Sequence, residues 1–419
     1  MATARHRTPP AALALALALL GLAGCGKGGP PPSGAAGPAR KLLAVAPTGA
    51  VSVATRNTTR LGGADVASDA AAVARAVYPG LTAASRPSAV VLVDAHDWPA
   101  ALAASVLAAA PTNAPILYSE GESLPAISRQ TLEAMHPLGA SALGGAQVIR
   151  VGATASPPGG YPARTLSAAA PAAVAAQLAR VALALEGSHA AHAAIVIGEG
   201  VSRPLAMPAA GLAAESGAPI LFVGHARVPG ATAAALAAMH RPSIFVLDAP
   251  ALSRASLAEL RRLGAVTAIP AGAAAGASPE QAAVQNAIEV ARFTDGDFGW
   301  GVKEPGHGLV FASLGRPLDA PAAALLSATG EYGPLLLLDG SGAVPPALVH
   351  YLADIQPAYS DPQFPAVRGA YNHGWLIGDE AAISAVSQAE IDVMLEIAAR
   401  PQTNEEASAS QESSSSLGE

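Results

Sequence analysis

One pattern recurs three times along the 419-residue chain and constrains its fold more than any other feature. In each copy an apolar strand, a helix rich in small residues and a second apolar strand follow one another. The second strand begins just after a proline each time, at Pro115, Pro219 and Pro334. The distance along the chain from Pro115 to Pro219, and from Pro219 to Pro334, is typical of small domains. Solenoid repeats are shorter and recur about every 20 to 50 residues.

The predicted strands are continuous apolar runs rather than alternating ones, and helices separate them. That arrangement is typical of parallel sheets covered by helices on both faces. We therefore predict an α/β fold of three tandem, small, doubly wound modules with parallel sheets. A proline suits the first helical turn, where no amide donor is needed. The residues of the repeated motif are Pro99, Pro204 and Pro317 at the helix starts, and Pro115, Ile116, Leu117, Pro219, Ile220, Leu221, Pro334, Leu335 and Leu336 in the second strands.

Each copy also begins with an amphipathic helix, as the spacing of Val66, Ala70, Val73 and Val77 indicates in the first. Another helix follows the second strand, and a third strand is expected to close each unit, over residues 147–151, 244–247 and 375–377. We expect module boundaries at residues 46–160, 161–272 and 273–400.

The N-terminus has the features of a secretory signal peptide over residues 1–24. Arg5 and Arg7 precede an apolar run over residues 11–23, which is too short to cross a bilayer. Residues 22–25, Leu-Ala-Gly-Cys, match the bacterial lipobox, in which the cysteine is lipidated before cleavage. Cys25 is the one cysteine of the chain. We predict a lipid-anchored protein with Cys25 at the mature N-terminus; the alternative is an ordinary signal peptide.

Composition restricts the remainder. Residues 25–45 are rich in Gly, Pro and Ser and predict a flexible tether, and the Ser- and Glu-rich residues 401–419 predict a disordered tail. A single cysteine excludes a disulfide framework. The net charge of -7 and the absence of a basic patch with interleaved aromatics argue against nucleic acid as a partner.

Several polar residues are candidates for catalytic or metal-binding groups. Asp94, His96 and Asp97 follow the first strand, where a histidine and a carboxylate can form a general base. The other two copies lack such residues, so no catalytic site is predicted. The pair His189 and His192 lacks further ligands at metal-binding spacing. Residues 295–301 lack the later carboxylates of a calcium loop and predict a surface loop with two aromatics available for contact. No metal or cofactor is expected.

Trp98, Arg203 and Arg316 occupy matching positions, each directly before the proline of the helix. An arginine beside the free amides of a helix start can hold an anionic group, and a tryptophan can stack on a sugar ring. We predict these three residues as a ligand-binding edge. The alternative is that they are exposed residues at a helix entry.

The first copy resembles the cell-wall-binding repeat type 2 family. The similar stretches are residues 59–65 (TRLGGAD), residues 93–104 (VDAHDWPAALAA), residues 114–118 (APILY) and residues 143–146 (LGGA). The resemblance extends in weaker form over residues 50 to 398. It implies three modules around a pseudo-threefold axis and non-catalytic binding of a wall polysaccharide, often an anionic secondary polymer.

Two functions follow from these features. The first is a membrane-anchored lipoprotein that binds wall glycan, located outside the cytoplasm. The second is an envelope scaffold that binds another, unidentified protein and whose glycan site has decayed. The second stays open because residues 65–70 (DVASDA) lack the arginine, aromatic residue and threonine that the family usually has there.

Overall fold

The computed structural model describes residues 51–399 apart from 153, 187–191, 273–275, 330–332, 341 and 360–370. The expected signal peptide, tether and tail, together with Cys25, lie outside the described residues.

Most strands are short, apolar and buried. Successive buried residues without polar alternation form strands that are covered on both faces. In chain order the strands are Val51–Ala54 (β1), Thr58–Gly62 (β2), Val90–Asp94 (β3), Ile116–Ser119 (β4), Val148–Val151 (β5), Ala163–Leu166 (β6), Ala193–Gly198 (β7), Ile220–Val223 (β8), Ser243–Leu247 (β9), Ala265–Ile269 (β10), Gly308–Ser313 (β11), Leu335–Leu338 (β12), Ala358–Tyr359 (β13), His373–Ile377 (β14) and Ala398–Ala399 (β15).

Helices connect these strands, and several begin at a side chain that caps their free amides. Asp65, Asp97, Ser253, Ser278 and Ser384 each accept a backbone amide from the first turn of the helix that they precede. In chain order the α-helices are Val66–Val77 (α1), Trp98–Ala104 (α2), Ala126–Met135 (α3), Pro171–Glu186 (α4), Arg203–Ala206 (α5), Pro208–Ser216 (α6), Gly230–Ala238 (α7), Arg254–Leu263 (α8), Pro279–Arg292 (α9), Asp319–Ala328 (α10), Pro346–Asp354 (α11) and Ala385–Met394 (α12).

Within the described residues, the longer strands form three sheets with equivalent orders. The first sheet has the order β4-β3-β5-β6, the second β8-β7-β9-β10 and the third β12-β11-β14-β2-β1. All neighbours pair in parallel except β1 and β2. The predicted α/β class with parallel sheets is therefore confirmed. The pseudo-threefold axis stays a prediction.

The expected third strands are present as β5, β9 and β14, but they do not close the units, because every sheet carries a fourth parallel strand. β6 and β10 extend the first and second sheets, and β2 extends the third. These strands lack the long apolar run that revealed the others; in β6, for example, Arg164 and Thr165 are exposed.

The fourth strand of the third sheet comes from the opposite end of the chain. Residues 58–61 of β2 pair with residues 374–377 of β14, and β1 forms the outer edge beside β2. The sheets therefore do not coincide with the expected intervals 46–160, 161–272 and 273–400, which remain a proposal for the limits of the sequence repeat. The chain closes on itself through the third sheet.

Three helices that follow the first strand of each sheet pack against one another. They are α2 with its continuing 3-10 turn Ser105–Ala108, then α6, then α10. Small residues let them approach closely: a Cβ at Gly211 of α6 would lie only 2.7 Å from Ser327 Oγ of α10. The shared core of the three sheets therefore includes this helix contact.

Two local expectations need correction. The third proline-started helix begins at Asp319, because Arg316, Pro317 and Leu318 form the turn before it. In the expected surface loop at residues 295–301, Phe298 is buried and stacks on Phe245 with the ring centroids 3.7 Å apart. Burial and stacking of the aromatic ring stabilise the folded chain more than exposure of the ring to water would.

None of the helices in the described part of the chain combines the length and hydropathy needed to cross a bilayer.

Replacing Leu61 with alanine tests the closure of the third sheet. Leu61 lies on β2 and is 3% exposed, so the lost burial and the resulting cavity should lower the free energy of unfolding by about 3 kcal/mol. Amide exchange measured by mass spectrometry should accelerate in β14 of the third sheet more than in β5 of the first. Leu81→Ala is the control, since Leu81 is 84% exposed. Faster exchange confined to the first sheet would contradict the assigned pairing.

Candidate ligand-binding site

The three predicted ligand-binding residues lie near the carboxyl ends of equivalent strands. Trp98 follows β3, Arg203 follows β7 and Arg316 follows β11. Open α/β sheets bind ligands at this edge, because the loops there converge on the ends of several strands. The structure gives the three side chains different environments.

Trp98 is the first residue of α2 and is only 7% exposed. It lines a cavity of about 330 Å³ together with Pro171 at the start of α4 and with Ile197 and Phe222 of the second sheet. Glu199 contributes the one charged side chain among these lining residues. The cavity has the size of a small-molecule site, and it joins α2 to the carboxyl edge of the second sheet. Stacking of Trp98 on a sugar stays a prediction.

Arg203 is exposed at the start of α5, and its guanidinium forms no hydrogen bond or ion pair with another described residue. Ala206 of the same helix lines the Trp98 cavity. The fold therefore brings Trp98 and the helix of Arg203 to one cavity. The guanidinium of Arg203 is available to an anionic ligand.

Arg316 is bound within the protein. Its Nη1 donates to Gly63 O at 2.9 Å and to Asp69 Oδ2 at 3.1 Å, and its Nη2 donates to Asp379 Oδ1 at 2.7 Å. The side chain is 17% exposed. Its partners come from distant parts of the sequence, so no local pattern could have identified them. A ligand-binding role for Arg316 remains a prediction, and the contacts give it a structural role.

Two buried carboxyl groups, those of Asp69 and Asp319, accompany Arg316. Both residues are 0% exposed, and Asp69 Oδ1 accepts the Gly63 amide at 2.6 Å. Burial and the neighbouring charge of Asp69 raise the pKa of Asp319 well above its usual value. Burial also raises the pKa of Asp69, although the Gly63 amide and Arg316 oppose that shift. Both shifts favour the protonated form of the pair relative to free carboxyl groups in water.

The contacts around Arg316 lie beside a further set of contacts made by Arg60, Gly62 and Asp65. Arg60 Nη1 donates to the carbonyl oxygens of Gly378 and Asp379, both at 2.9 Å. Gly62 has a φ of +152°, and a Cβ there would lie 2.4 Å from Asp69 Oδ1, so glycine is required. Asp65 caps α1. These residues are architectural and join β2 to the turn after β14.

The repeated proline motif also serves the sheets. The carbonyl oxygens of Pro115, Pro219 and Pro334 accept amides of the neighbouring strand at 2.9, 3.0 and 3.0 Å. Pro99 and Pro204 lie in the first turns of α2 and α5, and the carbonyl of Pro317 accepts an amide of α10. The apolar residues that follow the strand prolines are at most 2% exposed: Ile116, Leu117, Ile220, Leu221, Leu335 and Leu336.

Asp94, His96 and Asp97 form a turn after β3. Asp94 Oδ1 accepts the amides of His96 and Gly121 and lies 2.9 Å from His96 Nδ1. Although burial opposes the shift, the hydrogen bonds from His96 and Gly121 lower the pKa of Asp94. Asp97 caps α2. Each carboxylate has a local structural contact, which explains these residues without a catalytic role.

In the described part of the chain, no group of three or more His, Cys, Asp or Glu side chains is arranged to hold a metal ion. His189 lies outside the described residues, so the structure does not describe its spacing from His192.

A second repeated motif, absent from the predicted pattern, occurs in both α8 and α12. The helix-capping serine is followed three residues later by a serine that donates to a loop carbonyl, and three residues after that by a glutamate. The glutamate accepts the amide of a valine that lies earlier in the chain, directly before the proline that precedes α7 or α11, at 3.1 Å in both cases: Val228 for Glu259 and Val344 for Glu390. The spacing Ser-x-x-Ser-x-x-Glu was the available signal: Ser253, Ser256 and Glu259 in α8, and Ser384, Ser387 and Glu390 in α12.

Comparisons with known proteins agree with this architecture. Residues 60–153 match the cell wall binding domain 2 (CWB2) family. Among solved structures, Cwp8 from Clostridium difficile has a TM-score of 0.59 at 17% identity, covering 81% of this chain and 52% of that one. Cwp6 from Clostridium difficile has a TM-score of 0.61 at 16% identity, covering 83% and 51%. The chain thus spans about half the length of these structures. Comparison with curated proteins gave no match.

The fold is thus that of a CWB2-type α/β protein, as the likeness to Cwp8 and Cwp6 shows. Residues 60–153 match the cell wall binding domain 2 family, and the resemblance noted in the sequence is confirmed for that segment.

Asp69→Asn should lower the free energy of unfolding by about 3 kcal/mol, because it removes a buried carboxylate that faces Arg316. Urea denaturation measures the change. Asp354→Asn is the matched control: this carboxylate pairs with Arg292 at the surface, where such a pair contributes at most about 1 kcal/mol. Equal effects of the two substitutions would contradict a structural role for the buried pair.

Asp319→Asn should change how stability depends on pH. Because the folded state raises the pKa of Asp319, the unfolded chain releases this proton first as pH rises above about 4. The wild-type chain then loses the stability associated with Asp319 as pH rises through the elevated pKa, whereas the amide cannot titrate. In urea denaturation between about pH 4 and pH 8, the free energy of unfolding of the variant relative to that of the wild-type chain should increase with pH. If the free energies of unfolding of the two proteins change equally with pH, the folded state does not raise the pKa of Asp319.

Proposed function

We propose that this chain is a non-catalytic protein of the cell envelope that binds wall polysaccharide. The observation that carries the proposal is the match of residues 60–153 to the cell wall binding domain 2 family. Three sheets of equivalent order add further support, since they extend the same architecture beyond the matched segment. The location that follows is outside the cytoplasm.

The proposal includes a lipid anchor. Residues 1–24 would be removed as a signal peptide, Cys25 would carry the lipid, and residues 25–45 would hold the folded part away from the membrane. The support is the order of a basic region, a short apolar run and the Leu-Ala-Gly-Cys sequence at residues 22–25. Several acyl chains would make the anchor stable, because each buried methylene contributes about 0.8 kcal/mol.

Arg203 is the favoured ligand-binding residue of the predicted edge. It is exposed, it carries a full positive charge and it lies on the helix that lines the Trp98 cavity. A guanidinium in this position can bind a phosphate or carboxylate through two parallel hydrogen bonds.

A second candidate function is a scaffold for another envelope protein. Two observations favour it: Trp98 is 7% exposed, and Arg316 has carboxylate partners inside the protein. A glycan site that needed both side chains at the surface would then be lost.

A pull-down on cell walls from the protein's own source tests the two functions. The purified chain should be retained on intact walls and lost after acid extraction of anionic polymers. Arg203→Ala should weaken retention, whereas Arg254→Ala, which removes an exposed arginine from α8, should not. Arg316→Ala is unsuitable, because it would break two ion pairs of the fold. No retention on either wall preparation would contradict glycan binding and favour the scaffold.

A further inference from the structure

Two arginines that no sequence motif singled out line a groove on the first sheet. The groove has a volume of about 370 Å³ and lies between β6, α4 and the 3-10 turn Ser141–Leu143. Arg164 and Arg180 line it, with Gln177 between them and an apolar floor of Leu143, Leu166 and Val181. We refer to these six residues as the arginine groove.

The fold points both arginines into the same space. Arg164 and Leu166 are two residues apart on β6 and therefore share one face of the strand. Gln177, Arg180 and Val181 lie three and four residues apart on α4 and therefore share one face of the helix. β6 is the edge strand of the first sheet, so the groove opens at the side of the sheet.

The two guanidinium groups have no partner among the described residues. Neither the Arg164 nor the Arg180 guanidinium forms a hydrogen bond or ion pair with another described residue, and both residues are exposed. No carboxylate is among the described residues that line the groove. This differs from Arg60, Arg292 and Arg316, which donate to carboxylates or carbonyls of the protein.

The surroundings of each arginine explain why it lacks a partner. Arg164 pairs in register with Ile149 of β5, and the helical neighbours of Arg180 at three and four positions include Gln177 and Ala184. An acidic residue at such positions would form an ion pair. The groove therefore presents two positive charges in a chain whose net charge is -7.

The fold itself does not require a charge at the position of Arg164. The register of the other sheets places Thr267 of β10 and Thr59 of β2 at the position of Arg164. A threonine therefore satisfies the same place in the fourth strand. The charge at Arg164 is specific to the first sheet.

We propose that the arginine groove binds the anionic groups, phosphate or carboxylate, of a wall polysaccharide. The planar guanidinium forms two parallel hydrogen bonds to such groups, and two of them can hold successive charges of a polymer. The apolar floor of Leu143, Leu166 and Val181 suits the C–H face of a sugar ring, and the volume suits a small charged unit. This inference rests on the proposed wall-binding function, and what it adds is the location of a binding site, on the first sheet at residues that no motif singled out.

The test compares charge-matched variants of the full chain. Arg164→Gln/Arg180→Gln removes both charges of the groove, and Arg261→Gln/Arg262→Gln removes two exposed charges of α8. The probes are purified cell walls, the same walls after acid extraction of anionic polymers, and phosphatidylglycerol vesicles. Thermal unfolding of each variant verifies that it is folded.

The affinity for intact walls should fall about tenfold for each groove arginine that is replaced, because each substitution removes charge-assisted hydrogen bonds to the ligand. The α8 variant should bind like the wild-type chain. Arg164→Lys/Arg180→Lys should bind between the two, since lysine keeps the charge and loses the paired hydrogen bonds. Added salt should weaken the wild-type interaction.

Three results would overturn the inference. If the wild-type chain binds intact walls and the groove variant binds equally, the groove is not the site and the proposed function stands. If the groove variant loses binding to vesicles alone, the ligand is an anionic membrane. If the wild-type chain binds neither wall preparation, the proposed function fails and the inference fails with it.

Discussion

The pairing of β2 with β14 is the contact on which the arrangement of the third sheet depends. It inserts residues from the start of the described chain between β1 and strands from its far end, with Thr58 beside Gly374 and Leu61 beside Ile377. Arg60 then bonds to the carbonyls of Gly378 and Asp379. Because the CWB2 match begins at residue 60, its first strand belongs to a sheet built mostly from the other end of the chain.

Charged side chains are buried where β2 meets β14 and exposed at the candidate binding sites, and the two groups have different roles. Asp69 is fully buried, Arg316 is mostly buried and Asp379 is partly buried, and the burial of these charges costs free energy that close partners offset. Each partner comes from a different element, so the full set is satisfied in one arrangement of α1, α10 and the turn after β14. Arg203, Arg164 and Arg180 instead remain solvated and unpaired among the described residues, and their charge is available to an external anion.

Sequence periodicity was sufficient for the buried elements of the fold. The runs at Val90–Asp94, Ile220–Val223 and Leu335–Leu338 became central or neighbouring strands because continuous apolar residues need cover on both faces. The fourth strands were missed for the opposite reason. Ala163–Leu166 exposes three of its four residues, and an exposed polar segment has no period that separates a strand from a loop. The surface position predicted for Phe298 was wrong because its partner Phe245 is distant in the sequence.

For the candidate site, the sequence determined which side chains stand beside the helix-starting prolines, because local spacing alone sets that position. It also indicated the likeness of residues 60–153 to the cell wall binding domain 2 family, because the motifs are local and architectural. Only the tertiary structure decided that Trp98 is buried, that Arg316 is paired and that Arg203 has no partner among the described residues, since burial and partners depend on contacts between distant segments. The same physical reason applies to Arg164 and Arg180: a strand and a helix must pack together before two separate arginines line one groove.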